Sequence, residues 1–346
     1  MKRKLLIGLI TLILLPVFCR AENDGFTSRE VTGCENTNPS YELFYSSGQP
    51  GALIPGLSEG LVPQGLCFIE EKNWLLFAGY SGSGETGSAL IAVDRSDGSI
   101  VKQVLLRTLS GEPYTGHAGG VCVSGDTIYV SNAHRLYTLP LQTFLSLPEK
   151  SECAFTGEIP VPVNASWCCC EGGMLYVGEF EYSTEYKTDK SHKMKTADGT
   201  FRAWTCCYRL DENGCLSSIR FASDGTAIPD LILATPERIQ GMTVKNGSVY
   251  ISQSYGRRSS SLIMRFDALF DRAYDCEIEY GGFAVPMWFL DKNARSASLL
   301  APPMSESLCT VCGTVYVLFE SAAGIYRSPG NLSSNPMDRV FGLTGF

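Results

Sequence analysis

A two-strand pattern that recurs along the chain decides the fold, and it is clearest in GGVCVSGDTIYVSN (residues 119–132) and QGMTVKNGSVYISQ (residues 240–253). Each copy has a short apolar run, a polar or glycine-rich turn and a second apolar run, which is typical of two antiparallel strands joined by a tight turn. Related copies read QGLCFIEEKNWLLFAGY (64–80), SWCCCEGGMLYVGEF (166–180) and ESLCTVCGTVYVLFE (306–320). Such self-similarity along a chain indicates a repeat architecture.

The copies also share their register and a third apolar run after the second. Four of the five keep a spacing of nine residues between an anchor and a tyrosine, as in Gly120 to Tyr129 and Gly241 to Tyr250. The third apolar runs are residues 88–94, 134–140, 202–210, 261–267 and 324–328. A fourth strand is predicted after the third in each unit, for example over Ile100–Leu106.

Sheets of about four strands, repeated five times, predict an all-β fold, and specifically a five-bladed β-propeller. A ring of six or seven blades and a pair of β-sandwiches are the alternatives, because the stretch between Leu210 and Ile239 has room for further strands. We expect the propeller to span residues 61–346. Residues 22–60 form an N-terminal segment, in which Tyr41–Tyr45 is expected to complete the last blade.

The first 21 residues have the form of a signal peptide. A basic start, Lys2 to Lys4, precedes an apolar run from Leu5 to Phe18, which is short for a bilayer-spanning helix. We therefore expect a secreted or periplasmic protein with no membrane span after cleavage. Hydrophobic residues are 44% of the chain, enough to bury a core. The net charge of -8 argues against nucleic acid as a partner, and we expect a monomer.

Cysteine is abundant, with 14 residues, and removal of Cys19 with the leader would leave an odd number. Four of the five copies place a cysteine two residues after the anchor. A small, weakly polar side chain suits positions where inner strands crowd together, so we interpret this repeat as packing rather than metal ligation. Export would permit disulfides, but the spacing assigns none.

Connectivity predicts where a site would form. Because strands alternate in direction, the start of each first strand and the end of each second strand lie at the same end of the ring. The polar residues at these points are Gln64, His117, Gln240 and Glu306 at strand entries, and Glu179, Tyr255, Arg257 and Glu320 at or after strand exits. Polar groups that converge in a concave surface indicate a binding site.

Each of these residue types suits a particular role. Glu306 and Glu320 are predicted to be catalytic as general acid and base, and His117 to be a further proton carrier. Arg257 is predicted to clamp a carboxylate or phosphate with its fork of donors. The other predicted ligand-binding residues are Gln64, Glu179, Gln240 and Tyr255. The cofactor is not determined, although Glu179, Glu306 and Glu320 could instead hold a divalent cation such as calcium.

The motifs together resemble a largely uncharacterised family of secreted, propeller-like proteins from bacteria and fungi. The resemblance covers about residues 61–327 and supports seven of the polar positions without implying a reaction. The motifs that carry it are Pro63-Gln-Gly65, His117-Ala-Gly-Gly120, Gln240-Gly-Met242, Ser252-Gln-Ser-Tyr-Gly-Arg257, Pro302-Pro-Met-Ser-Glu306 and Phe319-Glu-Ser-Ala-Ala323. At the level of fold, the chain is also similar to quinoprotein-like and lactonase-like propellers.

These observations favour an exported propeller that binds a small polar or anionic ligand at its channel mouth. The expected chemistry is of hydrolase or lyase type, on a sugar, an ester or a phosphodiester. The alternative is a non-catalytic module that binds a ligand or a carbohydrate. Such a module would present similar residues in every repeat, whereas the entry positions here differ from copy to copy.

Overall fold

The computed structural model describes residues 25–34, 38–84, 86–182, 185–197 and 199–346. Within these residues, five sheets are arranged as the blades of a β-propeller. Each innermost strand packs against the innermost strand of the next blade, and blade 5 packs against blade 1, so the ring is closed. The predicted all-β, five-bladed fold is confirmed. The predicted signal peptide, residues 1–21, lies outside the described residues.

The strands of each blade are given from the channel outward. Blade 1 contains Leu61–Ile69, Trp74–Ser81, Ala89–Asp94, Ile100–Arg107 and Lys150–Ala154. Blade 2 contains Gly120–Ser124, Thr127–Asn132, Arg135–Pro140 and Gly157–Pro160. Blade 3 contains Ala165–Glu171, Met174–Glu179, Ala203–Arg209, Leu231–Thr235, Phe283–Phe289 and Cys276–Tyr280. Blade 4 contains Ile239–Lys245, Ser248–Gln253, Ser261–Phe266 and Ala297–Ala301. Blade 5 contains Ser305–Val311, Thr314–Phe319, Arg339–Leu343 and Gly48–Leu53.

The remaining elements are short and lie between these strands. Two small ribbons pair Met194–Lys195 with Thr200–Phe201, and Arg220–Phe221 with Ala227–Ile228. The α-helices are Glu42–Ser46 and Leu141–Ser146. The 3₁₀ turns are Pro39–Tyr41, Glu70–Lys72, Lys190–His192, Leu269–Asp271 and Gly324–Tyr326. No helix among the described residues is long and apolar enough to cross a membrane.

Blade 5 joins the two ends of the chain. Gly48–Leu53 pairs antiparallel with Arg339–Leu343, beginning with Gly48 opposite Leu343. The stretch expected to complete this blade, Tyr41–Tyr45, is itself helical, and Gly48–Leu53, which follows it within residues 22–60, does the pairing. The prediction of a third strand over residues 324–328 was wrong. That stretch is a 3₁₀ turn, and Arg339–Leu343 takes the third place.

The hydrophobic core is divided into five clusters, one between each pair of adjacent blades. Successive side chains of a strand point to opposite faces of its sheet. In blade 2, Ile128 and Val130 therefore face the cluster shared with blade 1, and Tyr129 faces the cluster shared with blade 3. Because both faces of a blade are buried, the second strands are continuous apolar runs rather than alternating ones.

Glycine allows the innermost strands to approach each other closely around the channel. A Cβ atom on Gly65 would lie 2.7 Å from the backbone nitrogen of Val121 in the next blade. A Cβ atom on Gly120 would overlap the backbone nitrogen of Cys168. These glycines, which belong to the repeated motifs, therefore hold neighbouring innermost strands in register at the start of the channel.

Candidate functional site

The channel has two openings, which differ in composition. The entry mouth is the opening at which the innermost strands begin, and its cavity has a volume of about 900 Å³. The turn mouth is the opposite opening, at which the first strand of each blade turns into the second. Seven of the eight polar residues predicted from the sequence line the entry mouth, namely Gln64, His117, Gln240, Tyr255, Arg257, Glu306 and Glu320.

A β-bulge directs the side chain at the entry position in four of the five blades. The strand register shifts around Gln64, Ser166, Gln240 and Glu306, in the innermost strands of blades 1, 3, 4 and 5. A bulge leaves one residue out of the ladder of cross-strand pairs and changes the direction of its side chain. All four of these residues line the cavity. The repeated irregularity therefore supplies the polar lining of the entry mouth.

Glu306 and Glu320 form a hydrogen-bonded carboxyl pair in this lining. Glu306 is 2% exposed, and its burial, together with the charge and hydrogen bond of Glu320, raises its pKa well above the ordinary range. Burial also raises the pKa of Glu320, to about 7. Two adjacent carboxyl groups in a low-dielectric site do not both ionise readily, so the pair shares a proton near neutral pH.

Neutral hydrogen-bond donors surround the carboxyl pair. The Nε2 of Gln64 donates to Oε2 of Glu320 over 2.9 Å, and the hydroxyl of Tyr326 donates to the same oxygen over 3.2 Å. The Nε2 of Gln240 donates to Oε1 of Glu306 over 3.2 Å. These contacts orient both carboxyl groups while leaving them in contact with the cavity.

Arg257 supplies positive charge next to the pair. Its guanidinium lies 5.4 Å from the centre of the Tyr326 ring, and its charge lowers the pKa of Glu320, opposing part of the effect of burial. Arg257 and the neighbouring Arg258 are both exposed and both line the cavity. A guanidinium recognises carboxylate or phosphate through paired hydrogen bonds, so this wall can bind an anion.

His117 lies at the same mouth, against an aromatic ring. Its ring is 4.3 Å from that of Tyr80, centre to centre, and its backbone N–H donates to Oδ1 of Asn132 over 3.0 Å. Desolvation by the surrounding cavity wall lowers the pKa of His117, although its side chain is exposed at the opening, so its imidazole is neutral near pH 7. A neutral imidazole can accept a proton, which fits the predicted role of this residue.

Tyr255 belongs to an aromatic wall on one side of the cavity. Its ring stacks on Tyr182 at 3.8 Å and lies 6.2 Å from Phe180, which is itself 5.5 Å from Tyr186. The hydroxyl of Tyr255 donates to Oε2 of Glu185 over 3.2 Å. The wall presents flat apolar faces with polar edges, as expected of a surface that contacts a ring or another apolar part of a ligand.

Glu179 does not line the cavity, contrary to its predicted role in ligand binding. It is 1% exposed, and its Oε1 contacts Nδ1 of His192 at 2.7 Å and the backbone N–H of Trp204 at 3.0 Å. The ring of His192 stacks on Trp204 at 3.8 Å. Glu179 therefore ties blade 3 to the insert that carries His192, which lies between strands Met174–Glu179 and Ala203–Arg209. The next residue, Phe180, lines the cavity, because successive side chains point to opposite sides.

The predicted grouping of Glu179, Glu306 and Glu320 around a divalent cation is not formed, because Glu179 is used elsewhere. Among the described residues, no three His, Cys, Asp or Glu side chains are placed to hold a metal ion. The carboxyl groups of Glu306 and Glu320 are oriented by amide and hydroxyl donors instead. This arrangement suits proton transfer better than cation binding.

Two residues of the site were not predicted. Tyr80 lies at the end of the second strand of blade 1, a position equivalent to Glu320 in blade 5, so strand connectivity is the signal that could have found it. Tyr326 lies in the stretch that was interpreted as a third strand, and this interpretation concealed it. Burial and the charge of Glu320 raise the pKa of Tyr326, so its hydroxyl remains a donor.

Comparison with known proteins finds structural likenesses at low sequence identity. Neither a protein-family model nor a curated protein matches the chain. Glutaminyl cyclase from Myxococcus xanthus aligns over 85% of this chain and 91% of its own, with 12% identity and a TM-score of 0.39. A putative oxidoreductase (glucose dehydrogenase) from Thermus thermophilus aligns over 85% and 98%, with 12% identity and a TM-score of 0.40. BamB from Moraxella catarrhalis aligns over 86% and 91%, with 10% identity and a TM-score of 0.33. Values this low carry no argument about fold, substrate or reaction.

Proposed function

We propose that this chain is an exported enzyme that acts on a small polar or anionic substrate at the entry mouth, with Glu306 and Glu320 as its general acid and base. The observation that carries the proposal is the hydrogen-bonded carboxyl pair in the wall of a cavity large enough for a small molecule. Export rests on the leader-like sequence of residues 1–21.

The pair is suited to moving a proton near neutral pH. A catalytic acid or base works best when its pKa is close to the pH at which it operates, and that of Glu320 is about 7. Glu306, with the higher pKa, is the carboxyl that holds the proton and can donate it. Glu320, as its carboxylate, is the partner that can take a proton from a water molecule or from the substrate.

The closeness of the two carboxyl groups favours one type of chemistry within the predicted set. Glycosidases keep their two carboxyl groups about 5 Å or more apart, so that the sugar, or the sugar and a water, fits between them. A directly hydrogen-bonded pair instead resembles the arrangement that activates a water through one shared proton. We therefore favour hydrolysis of an ester over hydrolysis of a glycoside.

Arg257 and the aromatic wall define the expected substrate. An anionic group would bind at Arg257 and Arg258, and it would also offset the positive charge of that part of the cavity. An apolar or cyclic portion would lie against Tyr255. A phosphate diester or a carboxylate-bearing ester has both of these features.

The second candidate is a carbohydrate-binding module without catalysis. The stacked pair Tyr182 and Tyr255 favours it, because aromatic faces commonly bind the flat side of a ring. This function leaves the raised pKa values of the two carboxyl groups without a role. Binding of sugars with no turnover of any ester would support this candidate instead.

The test is a hydrolysis assay with chromogenic substrates of three classes: nitrophenyl esters with and without a carboxylate, nitrophenyl glycosides, and bis(nitrophenyl) phosphate. The Glu306→Gln and Glu320→Gln variants should each lose about 100-fold or more in kcat, since general acid–base catalysis is worth that much. Glu171→Gln is the matched control, because burial raises the pKa of Glu171 to about 7 as well, but at the turn mouth.

The same assay tests the anion site. Arg257→Gln should raise KM for anionic substrates and leave KM for neutral esters nearly unchanged. The catalytic assignment is wrong if an activity is found that survives both glutamate substitutions. The proposed substrate class is wrong if the Arg257 variant affects neutral and anionic substrates equally.

A further inference from the structure

The turn mouth is lined by thiols. Its cavity of about 360 Å³ lies at the far end of the channel from the carboxyl pair. The cysteines that line it are Cys67, Cys122, Cys169, Cys170, Cys309 and Cys312. They come from blades 1, 2, 3 and 5, and four of them, namely Cys67, Cys122, Cys169 and Cys309, occupy equivalent positions of the innermost strands.

Two of these thiols are close enough to react with each other. The Sγ of Cys122 lies 2.9 Å from the Sγ of Cys170, and 3.7 Å from that of Cys168. Cys122 is on the innermost strand of blade 2 and Cys170 on that of blade 3. The pair therefore spans the interface between two blades.

The packing of the two strands explains why these thiols meet. Gly120 lies directly against the backbone of Cys168, where no side chain would fit. Cys122 and Cys170 are each two residues further along their strands, so they lie on the same faces and at the same level of the channel. Gly120 thus sets the register of the two strands near the entry mouth, and this register brings the two sulfur atoms together nearer the turn mouth.

Access to the pair is unequal. Cys170 is partly exposed to the cavity of the turn mouth, whereas Cys122 is 2% exposed. A small oxidant that enters the cavity would meet Cys170 first, and Cys122 could attack only afterwards. Burial raises the pKa of both thiols, so each is protonated at neutral pH and reacts slowly in the folded chain.

We propose that Cys122 and Cys170 form a disulfide that links blades 2 and 3 at the turn mouth, made by exchange with a small-molecule or protein disulfide. The thiolate of Cys170 attacks the oxidant, forming a mixed disulfide and releasing one thiol of the oxidant. The thiolate of Cys122 then attacks Sγ of Cys170 and releases the second. Both protein thiols lose a proton and are oxidised, and the oxidant is reduced to two thiols.

A metal site is the main competing use of clustered thiols, and the structure does not favour it. Within the part of the chain that the structure describes, no three thiol, imidazole or carboxylate groups are arranged as metal ligands. Cys168, the third thiol near Cys122, belongs to the hydrophobic cluster between blades 2 and 3. An oxidising compartment, which the leader-like sequence predicts, would supply the disulfide oxidant.

The experiment is peptide mapping of the whole chain without reduction, after incubation with oxidised glutathione in excess over reduced glutathione. We expect a crosslinked peptide pair containing Cys122 and Cys170, with the loss of two hydrogen atoms in mass. Cys168→Ser is the matched control and should retain this crosslink, whereas Cys170→Ser should abolish it. Reduction of the oxidised wild-type chain should lower its Tm by about 5 °C, since the bond closes a long loop.

Two outcomes would overturn the proposal. In one, Cys122 and Cys170 both remain open to alkylation in the wild-type chain after oxidation, a result that needs no variant to fold. In the other, Cys122 is recovered linked to Cys168. The proposed catalysis at the entry mouth does not enter this test, so the two proposals stand or fall separately.

Discussion

Replacement of Glu320 by glutamine should change how the stability of the protein depends on pH. In the folded chain the pKa of Glu320 is raised from 4.5 to about 7 by burial. Below pH 4.5 the carboxyl is protonated in both the folded and the unfolded state, and stability is at its full value. As the pH rises from 4.5 to 7, the unfolded state releases its proton first and is favoured, so stability falls.

The magnitude follows from the size of the pKa change. A pKa raised from 4.5 to about 7 costs about 3 kcal/mol of stability above pH 7, at about 1.4 kcal/mol for each pH unit on the way. Glu320 is only partly buried from solvent, so we expect about 2 kcal/mol after screening by water in the cavity. Glutamine is neutral at every pH, so the Glu320→Gln variant does not lose this part of its stability as the pH rises. The pKa of Glu306 should also fall without the charge of Glu320, which acts in the same direction.

The assay is urea unfolding at pH 4 and at pH 8, with the free energy of unfolding compared between the wild type and Glu320→Gln. The variant should lose about 2 kcal/mol less than the wild type between the two pH values. Glu212→Gln, on an exposed turn, is the control for the loss of one carboxylate. If the wild type and Glu320→Gln lose equal stability across this range, the pKa of Glu320 is not raised in the folded chain, and the acid–base role loses its basis.

Two further predictions concern the frame of the site. Gly120→Ala should lower the free energy of unfolding by about 2 to 3 kcal/mol, because the added Cβ would overlap the backbone of Cys168. Gly345→Ala is the control, since the nearest atom to its Cβ would lie at 3.6 Å. In the same chemical unfolding experiment, this variant should change the free energy of unfolding by much less. His192→Ala should lower the free energy of unfolding by about 3 kcal/mol, because it leaves the buried Glu179 without its partner at 2.7 Å. Thermal unfolding measures this loss, and an unchanged Tm would show that the insert is not anchored by this contact.

The general position of the site could be predicted because strand direction alone decides which end of the ring a residue occupies. Gln64, Gln240, Glu306 and Glu320 are far apart in the chain and share one cavity, as the repeated pattern predicts. The same reasoning was wrong for Glu179, which lies three residues after Tyr176, whereas Glu320 lies four residues after Tyr316. In blade 3 the residue equivalent to Glu320 is Phe180, and it lines the cavity. Successive side chains at a strand exit point to opposite sides, so strand direction alone does not decide which of two neighbouring residues enters the channel.

The details of the site depended on features that the repeats do not contain. The bulge at Glu306 becomes visible only when its strand is paired with Thr314–Phe319, because it is a mismatch between two strands. The contact between Cys122 and Cys170 depends in the same way on how two blades pack. Along a single strand, alternation shows only that the side chains of Cys168 and Cys170 point to the same side of the sheet.

The amino-acid sequence by itself determined the repeated strand pattern, the apolar faces that the strands bury and the end of the ring that carries the polar residues, whereas the closed ring of the structure fixed the number of blades at five. The sequence did so because side-chain alternation and strand direction are local properties, repeated five times. Only the tertiary structure decided which carboxyl groups share a proton, which aromatic side chains enclose the cavity and which thiols meet. Those outcomes depend on contacts between blades, and such contacts form only when residues distant in the chain are brought around a common axis.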